Sequence, residues 1–365
     1  MPQHVGPLED ETVRDLIVPL LRDQSGWLDE QLVFEYCLKQ RRTISPGGVS
    51  RTIDDGYADI VLEATPGTPV AVVEAKRKYK TATDAIQQAI RYAQQLDAPL
   101  AYGSNGQQII ERNLRTGVER TVTEFAAPAM AWSEYCQQRG LDASGADLIS
   151  KPFNRQRRNV AGDVVVPRYY QVTAVNRVLS AIARGDRRVL LLMATGTGKT
   201  FTAMQIVAKL RAHEKLTRPN RNYRVLYLAD RDQHLTQPVT KDFTPAFGNG
   251  PLQRVLGKAD QSREIYFASY QALSGGSPDN TTDTTSVLFE AFRPDFFDLV
   301  IVDECHRGSA EENSTWPRVL DYFNSAVQLG LTATPRNPEG VTLHPPGSSE
   351  FATAMATKEI HAELF

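Results

Sequence analysis

The sequence predicts an α/β protein of two domains, a small strand-and-helix domain followed by a larger parallel-sheet domain. Three observations predict it. Apolar runs that read as buried strands recur after residue 188, and two of them end in residues that handle charge, at 189–200 (VLLLMATGTGKT) and 298–306 (DLVIVDECH). Upstream, residues 57–76 form two extended runs around Thr65-Pro66-Gly67-Thr68, the pattern of a hairpin. The length, 365 residues, exceeds one ordinary domain and supports two cores.

Bulk composition narrows the class. Apolar residues make up 41% and charged residues 23%, with a net charge of −2, which argues against a disordered or coiled-coil chain and requires any nucleic-acid contact to be local. Cys37, Cys136 and Cys305 lie far apart without C-x-x-C spacing, so neither a disulfide framework nor a zinc site is indicated. No run approaches eighteen apolar residues, and the start, MPQHVGPLEDE, lacks the basic-then-apolar pattern of a signal peptide. The expectation is a soluble, cytoplasmic protein.

In chain order, 11–27 (ETVRDLIVPLLRDQSGW) reads as an amphipathic helix with Leu16, Ile17, Leu20 and Leu21 on one side, a stop at Gly26 and a kink at Pro19. Glu11 is a helix-start carboxylate within reach of whatever site lies above it. In the hairpin, Glu74 and Lys76 are two apart and leave one face, where Asp59 on the partner strand can meet them. Two carboxylates and an ammonium suit Mg²⁺, which polarises a phosphodiester and activates water while the lysine steadies developing negative charge. A cross-strand salt bridge on a solvated face fits these three residues equally well. The helix at 83–96 adds Gln88 and Tyr92 at i and i+4, on one face. Asn105-Gly106 signals a turn, and the first domain, 1–125, closes near Phe125.

Residues 126–165 read as a linker with helices. Its basic run, Lys151, Arg155, Arg157 and Arg158 with Arg168 beyond, is either a phosphate-tracking stripe or a solvated connection. The second domain, 166–335, opens on Arg168-Tyr-Tyr-Gln171 and carries Thr195-Gly196-Thr197-Gly198-Lys199-Thr200. Glycines let backbone N–H groups close on phosphates, Lys199 adds a point charge, and Thr200 adds a hydroxyl for Mg²⁺. Met193 stands where that phosphate-loop pattern has its first glycine. Asp303 at a strand end can hold Mg²⁺, and Glu304 can polarise the attacking water. The cofactors expected are ATP and Mg²⁺.

The order MATGTGKT, DECH, LTATP resembles superfamily 2 helicases and translocases of the DEAD/DEAH-box kind, which implies a RecA-like P-loop domain. By that resemblance Gln171 reads the adenine edge, Thr332 and Thr334 couple nucleotide state to nucleic-acid grip with His306 between the phosphate and coupling motifs, and Arg231 and Ser269 touch the nucleic-acid backbone. Asp59, Glu74-x-Lys76 and Gln88-x-x-x-Tyr92 resemble PD-(D/E)xK nucleases, with Ala58 in place of the proline. The two in this order, over residues 9–335, resemble the restriction (R, or HsdR) subunit of type I restriction-modification enzymes. That resemblance implies ATP-dependent translocation of double-stranded DNA, Mg²⁺-dependent cleavage, and methylation and specificity subunits as partners. The tail, 336–365, reads as irregular. No second RecA-like lobe is recognised in it, so the isolated chain is expected to hydrolyse ATP poorly and not to translocate. A stand-alone helicase-nuclease of phage defence or repair, and a catalytically incomplete ATP- and DNA-binding fragment, share the same motifs.

Overall fold

The computed structural model describes residues 9–38, 42–44, 51–53, 56–255, 260–273, 288–305, 316–333 and 358–361; the readings placed on His306, Thr334 and the tail up to residue 357 lie outside them. The chain divides into two compact units, Met1–Asp142 and Ala143–Phe365, with the divide inside the stretch read as linker.

In the first unit, α1 (Glu9–Thr12) continues through π-helical turns at Val13–Ile17 and Leu20–Gln24, burying Ile17 and Leu21. Pro19 lacks the N–H that a regular turn needs, and wider, π-helical turns lie on either side of it. The strands are β1 (Leu32–Cys37), β2 (Arg42–Ile44), β3 (Arg51–Ile53), β4 (Tyr57–Glu63), β5 (Pro69–Ala75), β6 (Leu100–Ser104), β7 (Ile109–Asn113) and β8 (Glu119–Val122). Six of them form one sheet in the order β1-β4-β5-β6-β7-β8, and β2 pairs with β3. A type II turn joins β4 to β5, with Pro66 pre-set for the second position, Gly67 at φ 81° in the third, and Thr68 N–H donating to Thr65 O at 2.8 Å.

The helix α2 (Thr83–Leu96) crosses over between β5 and β6, which are parallel. It sits so close to β6 that a Cβ on Gly103 would lie 2.5 Å from Ala82 O and 2.7 Å from Ile86 N, so only glycine fits. At its C-terminus Asp97 takes φ 57° and is held by Arg139, at 2.7 Å, from α3 (Pro128–Arg139). The Asn105 turn is built by its side chain, whose Oδ1 accepts from the backbone N–H of Gln107 and Gln108.

The second unit is organised on an all-parallel sheet of β9 (Arg188–Leu192), β10 (Val225–Ala229), β11 (Leu252–Arg254), β12 (Ile265–Ser269), β13 (Leu299–Asp303), β14 (Val327–Thr332) and β15 (Lys358–His361), ordered β11-β12-β10-β13-β14-β9-β15. Its central strands are buried on both faces, which explains their unbroken apolar character. β15 lies in the tail read as irregular. Four residues with one apolar side chain, Ile360, carry no readable pattern, and pairing along β9 supplies what the sequence does not display. The helices used below are α4 (Ala143–Ser150), α5 (Tyr169–Ala183), α6 (Lys199–Thr217) and α7 (Gln233–Gln237).

The basic run before this sheet is divided: Arg155, Arg158 and Arg168 are exposed, whereas Lys151 and Arg157 are taken up in ion pairs. Residues 153–157 lie along α6 as a strap, meeting Phe201, Gln205 and Lys209 at i, i+4 and i+8. Arg157 stacks over the Phe201 ring at 5.0 Å, Gln205 pins the backbone of Asn154 at both N–H and C=O (2.8 and 2.9 Å), and Lys209 lies 4.1 Å from the Phe153 ring centre. Lys151 is spent on Asp147, one turn back in α4. Among the described residues, no helix is long and apolar enough to cross a membrane.

Candidate functional sites

The first site is set by strand register. β4 and β5 run antiparallel with Ile60 opposite Val73, so one step further Asp59 falls beside Glu74. Each carboxylate is anchored on the other strand: Asp59 Oδ2 accepts from Ala75 N–H at 2.7 Å, and Glu74 Oε1 accepts from Asp59 N–H at 3.1 Å. Glu74 is 1% exposed, in the middle of the sheet between β4 and β6. Burying a carboxylate is costly, so its position depends on the polar groups that the two strands bring to it. Lys76 follows directly after β5, its backbone N–H on Ser104 O and its Nζ on Ala75 O, both at 2.9 Å.

Gln88 Nε2 donates to the Tyr92 hydroxyl at 3.3 Å on α2. That hydroxyl closes on the chain entering β4: a Cβ on Gly56, at φ 98°, would lie 2.7 Å from it. The helix pair is thus brought to the approach of the strand that carries Asp59, three residues on. Among the described residues no group of three or more His, Cys, Asp or Glu side chains is arranged to hold a metal. Two carboxylates anchored through one oxygen each, each having up to four acceptor positions, still match the all-oxygen preference of Mg²⁺, which fills its remaining positions with water and substrate oxygens. Glu11 lies on α1, partly buried.

The second site gathers at the C-terminal ends of the parallel strands, where an open α/β sheet binds ligands. Met193 adds one residue to the β9 ladder, its N–H on Thr332 O at 2.9 Å and its side chain buried, which explains why an extended residue replaces the expected glycine. The loop then turns through Gly196 (φ 81°) and Gly198 (φ 89°), closed by the Thr197 hydroxyl on Ala194 O at 2.6 Å. Gly198 has no room for a side chain, since a Cβ would meet Gln171 Nε2 at 2.5 Å. Thr195 and Gly196 line the cavity beyond with Lys199 and Thr200, which open α6.

Lys199 Nζ lies 3.2 Å from Glu304 Oε1 and 3.5 Å from Met193 O. Asp303 accepts from Glu304 N–H at 3.0 Å and from the Tyr227 hydroxyl at 2.7 Å, and Glu304 takes φ 48°, which turns its side chain out of the strand line. Burial pushes the Asp303 carboxyl above its ordinary range, and the Tyr227 hydrogen bond pulls it part of the way back. A cavity of about 550 Å³ opens in front of these groups. Glycine-lined backbone, a lysine, a hydroxyl and two carboxylates fit a magnesium nucleotide.

Gln171 is buried at the start of α5, beside the phosphate loop. Its Oε1 accepts from Arg168 N–H at 2.9 Å and its Nε2 donates to Thr197 O at 2.8 Å, tying the start of α5 to the phosphate loop. An amide has two donors and two acceptor sites, so this tie engages one of each. Ser269 is buried and its Oγ accepts from Ala272 N–H at 3.3 Å, while Arg231 is exposed past β10. Thr332 is buried at the end of β14.

Sequence reasoning missed Tyr227 and Asp242. Tyr227 is opposite Ile301 in the parallel ladder, two positions before Asp303 on the same face, and also bonds Thr200. A phenol inside the apolar run VLYLA was the available signal, because a buried tyrosine hydroxyl needs a partner. Asp242 is 4% exposed on the π-helical turn Pro238–Phe243 and pairs with Arg157 at 2.9 Å; nothing local in sequence marks it.

Comparison with known proteins follows the same division. A family model for the type I restriction enzyme R protein N terminus matches residues 9–125, and one for the res subunit of type III restriction enzymes matches 165–337. The chain is 37% identical over 342 residues to the type I restriction enzyme EcoAI endonuclease subunit of Escherichia coli, covering 92% of this chain and 40% of that protein. It is 26% identical over 404 residues to the EcoKI endonuclease subunit of E. coli strain K12, covering 90% and 33%. The fragment structure of an HsdR subunit of a type I restriction enzyme from Vibrio vulnificus YJ016 superposes with a TM-score of 0.75 at 32% identity, over 98% of this chain and 59% of that one. The chain therefore spans 40% or less of the length of these two curated relatives.

Proposed function

The chain belongs to the family of type I restriction enzyme R subunits, and from that premise we propose that it carries a Mg²⁺-dependent DNA-cleaving site in its first unit and an ATP-driven, DNA-translocating motor core in its second. The observation that carries the reading is the pair of carboxylates, Asp59 and Glu74, locked together across two strands of a unit that precedes a phosphate loop facing Asp303 and Glu304.

In the first unit Asp59 and Glu74 would hold Mg²⁺, which when bound polarises the phosphodiester and makes water a better nucleophile at neutral pH. Lys76, fixed at the strand end, supplies positive charge for the phosphorane, and Gln88 with Tyr92 orients the DNA backbone from α2. In the second unit Lys199 and the loop N–H groups bind phosphates, Thr200 and Asp303 hold the nucleotide's Mg²⁺, and Glu304 positions the attacking water. Lys199 must leave Glu304 to bind phosphate, so nucleotide entry itself frees the carboxylate that aligns water. Double-stranded DNA is the substrate, and methylation and specificity subunits are the partners, a reading supported by relatives that are themselves subunits of type I restriction enzymes.

The test is cleavage of supercoiled plasmid with Mg²⁺, with and without ATP, comparing Glu74→Ala and Lys199→Ala. Glu74→Ala must abolish cutting for the nuclease reading to stand. Loss with Lys199→Ala as well couples the two sites; retention makes the nuclease independent of nucleotide.

A further inference from the structure

The cavity in front of the phosphate loop has a charge problem. Its described lining includes four carboxylates, Asp230, Asp242, Asp303 and Glu304, yet only two side chains with permanent positive charge, Lys199 and Arg157. His234 pairs with Asp230 and counts as positive only when protonated. A triphosphate brings several further negative charges, so each cation in the wall matters. Arg157 is remarkable in origin only: it comes from the strap ahead of the sheet, not from any strand-end motif.

We propose that Arg157 is a nucleotide-site residue delivered by that strap: it neutralises Asp242 in the cavity wall and so couples docking of residues 153–157 on α6 to occupancy by a magnesium nucleotide. The inference rests on the ATP reading of the second unit. The geometry is specific. The guanidinium is pinched between the Asp242 carboxylate at 2.9 Å and the Phe201 ring at 5.0 Å, and Phe201 directly follows Thr200 of the phosphate loop. Asp242 is nearly fully buried, and burial pushes its carboxyl above the ordinary range while Arg157 lowers it. If the strap lifts, a buried anion faces an anionic ligand without its main counter-charge, leaving only the weaker influence of Lys241. Nucleotide therefore binds better to the strap-docked state, and by linkage nucleotide holds the strap down to the same extent. Gln205 and Lys209 set the register of the strap, so that Arg157 reaches the cavity and not the helix flank.

The test uses the full 365-residue chain. Titration calorimetry with Mg²⁺ and a non-hydrolysable ATP analogue compares wild type, Arg157→Ala, Asp242→Asn, the double variant and Lys199→Ala, with hydrogen exchange over 151–158 with and without analogue. Arg157→Ala is expected to weaken binding roughly tenfold, a coupling of ordinary allosteric size, and to remove the slowing of strap exchange by nucleotide. Asp242→Asn in the same background is expected to restore affinity to about wild type, because no buried charge is left to compensate. Affinity of Arg157→Ala within twofold of wild type, or no rescue in a double variant that melts cooperatively, overturns the proposal. Should Arg157→Ala not fold, Asp242→Asn alone decides: it is expected to bind the analogue at least as tightly as wild type, and weaker binding overturns the proposal. Wild type that binds no analogue, with Lys199→Ala indistinguishable from it, brings down the ATP reading itself, a different failure from a wild type that binds and ignores Arg157.

Discussion

The two units hold their carboxylates in different ways. In the first, Asp59 and Glu74 stand inside the sheet and are fixed by backbone N–H groups of the neighbouring strand, so their separation is a property of register. In the second, Asp303 and Glu304 stand at the end of a strand and are held in part by side chains, Tyr227 and Lys199, contacts that a ligand could displace without disturbing the strand ladder. A cutting site profits from rigid preorganisation, whereas a motor site has to pass between states. Rigidity is written into the ladder and exchangeability into side-chain pairs.

The comparison breaks most visibly at Glu74. Glu74→Ala is expected to lower plasmid cleavage by roughly 10²–10³-fold, the scale of losing one preorganised electrostatic group. ATP-analogue affinity should stay unchanged, and a fall in both would merge the two sites.

Register comes next. Gly103→Ala forces α2 off β6, because the new methyl meets backbone atoms, and is expected to cost about 1–3 kcal/mol in denaturant unfolding. If α2 orients DNA through Gln88 and Tyr92, cleavage falls as well while nucleotide binding holds.

On the exchangeable side, Tyr227→Phe removes a donor from a buried carboxylate, costing about 1–3 kcal/mol of site stability. Magnesium and proton compete for Asp303, whose carboxyl burial has already raised above its ordinary value, so Mg²⁺-nucleotide binding should weaken on acidification at a pH above the ordinary carboxylate range. The hydrogen bond from Tyr227 opposes that rise. Tyr227→Phe should therefore move the acid limb of a binding-versus-pH curve upward; an unmoved limb would mean that Asp303 does not hold the metal.

The smallest effect is expected at Gln171. Gln171→Ala loses two ties to backbone, about 1 kcal/mol net each in favourable cases. A purely structural amide would weaken ATP and GTP binding alike. Loss of ATP-over-GTP preference would show that the amide also reads the base.

Much of the second site was legible because its chemistry is contiguous: the phosphate loop is one six-residue stretch, and Asp303-Glu304 end a run of valine and isoleucine. That Asp59 and Glu74 lie on facing strands was legible only through the turn between them, since Pro66-Gly67 fixes how the strands fold back. The widened turns beside Pro19 were not legible in the same way, nor was β15, which has no pattern of its own. Arg157 could not be told apart from its exposed neighbours Arg155 and Arg158, because charge along a chain says nothing about where a counter-ion waits.

What the sequence determined alone is everything decided within a few residues: strand and helix periods, the type II turn, the glycines of the loop and the two charge-bearing strand ends. What only tertiary structure decided is pairing between segments with no local connection, Tyr227 under Asp303 and Arg157 against Asp242 from 85 positions away. The physical reason is that local sterics act between neighbours in the chain, whereas desolvated charge is compensated by whichever partner the packed fold delivers.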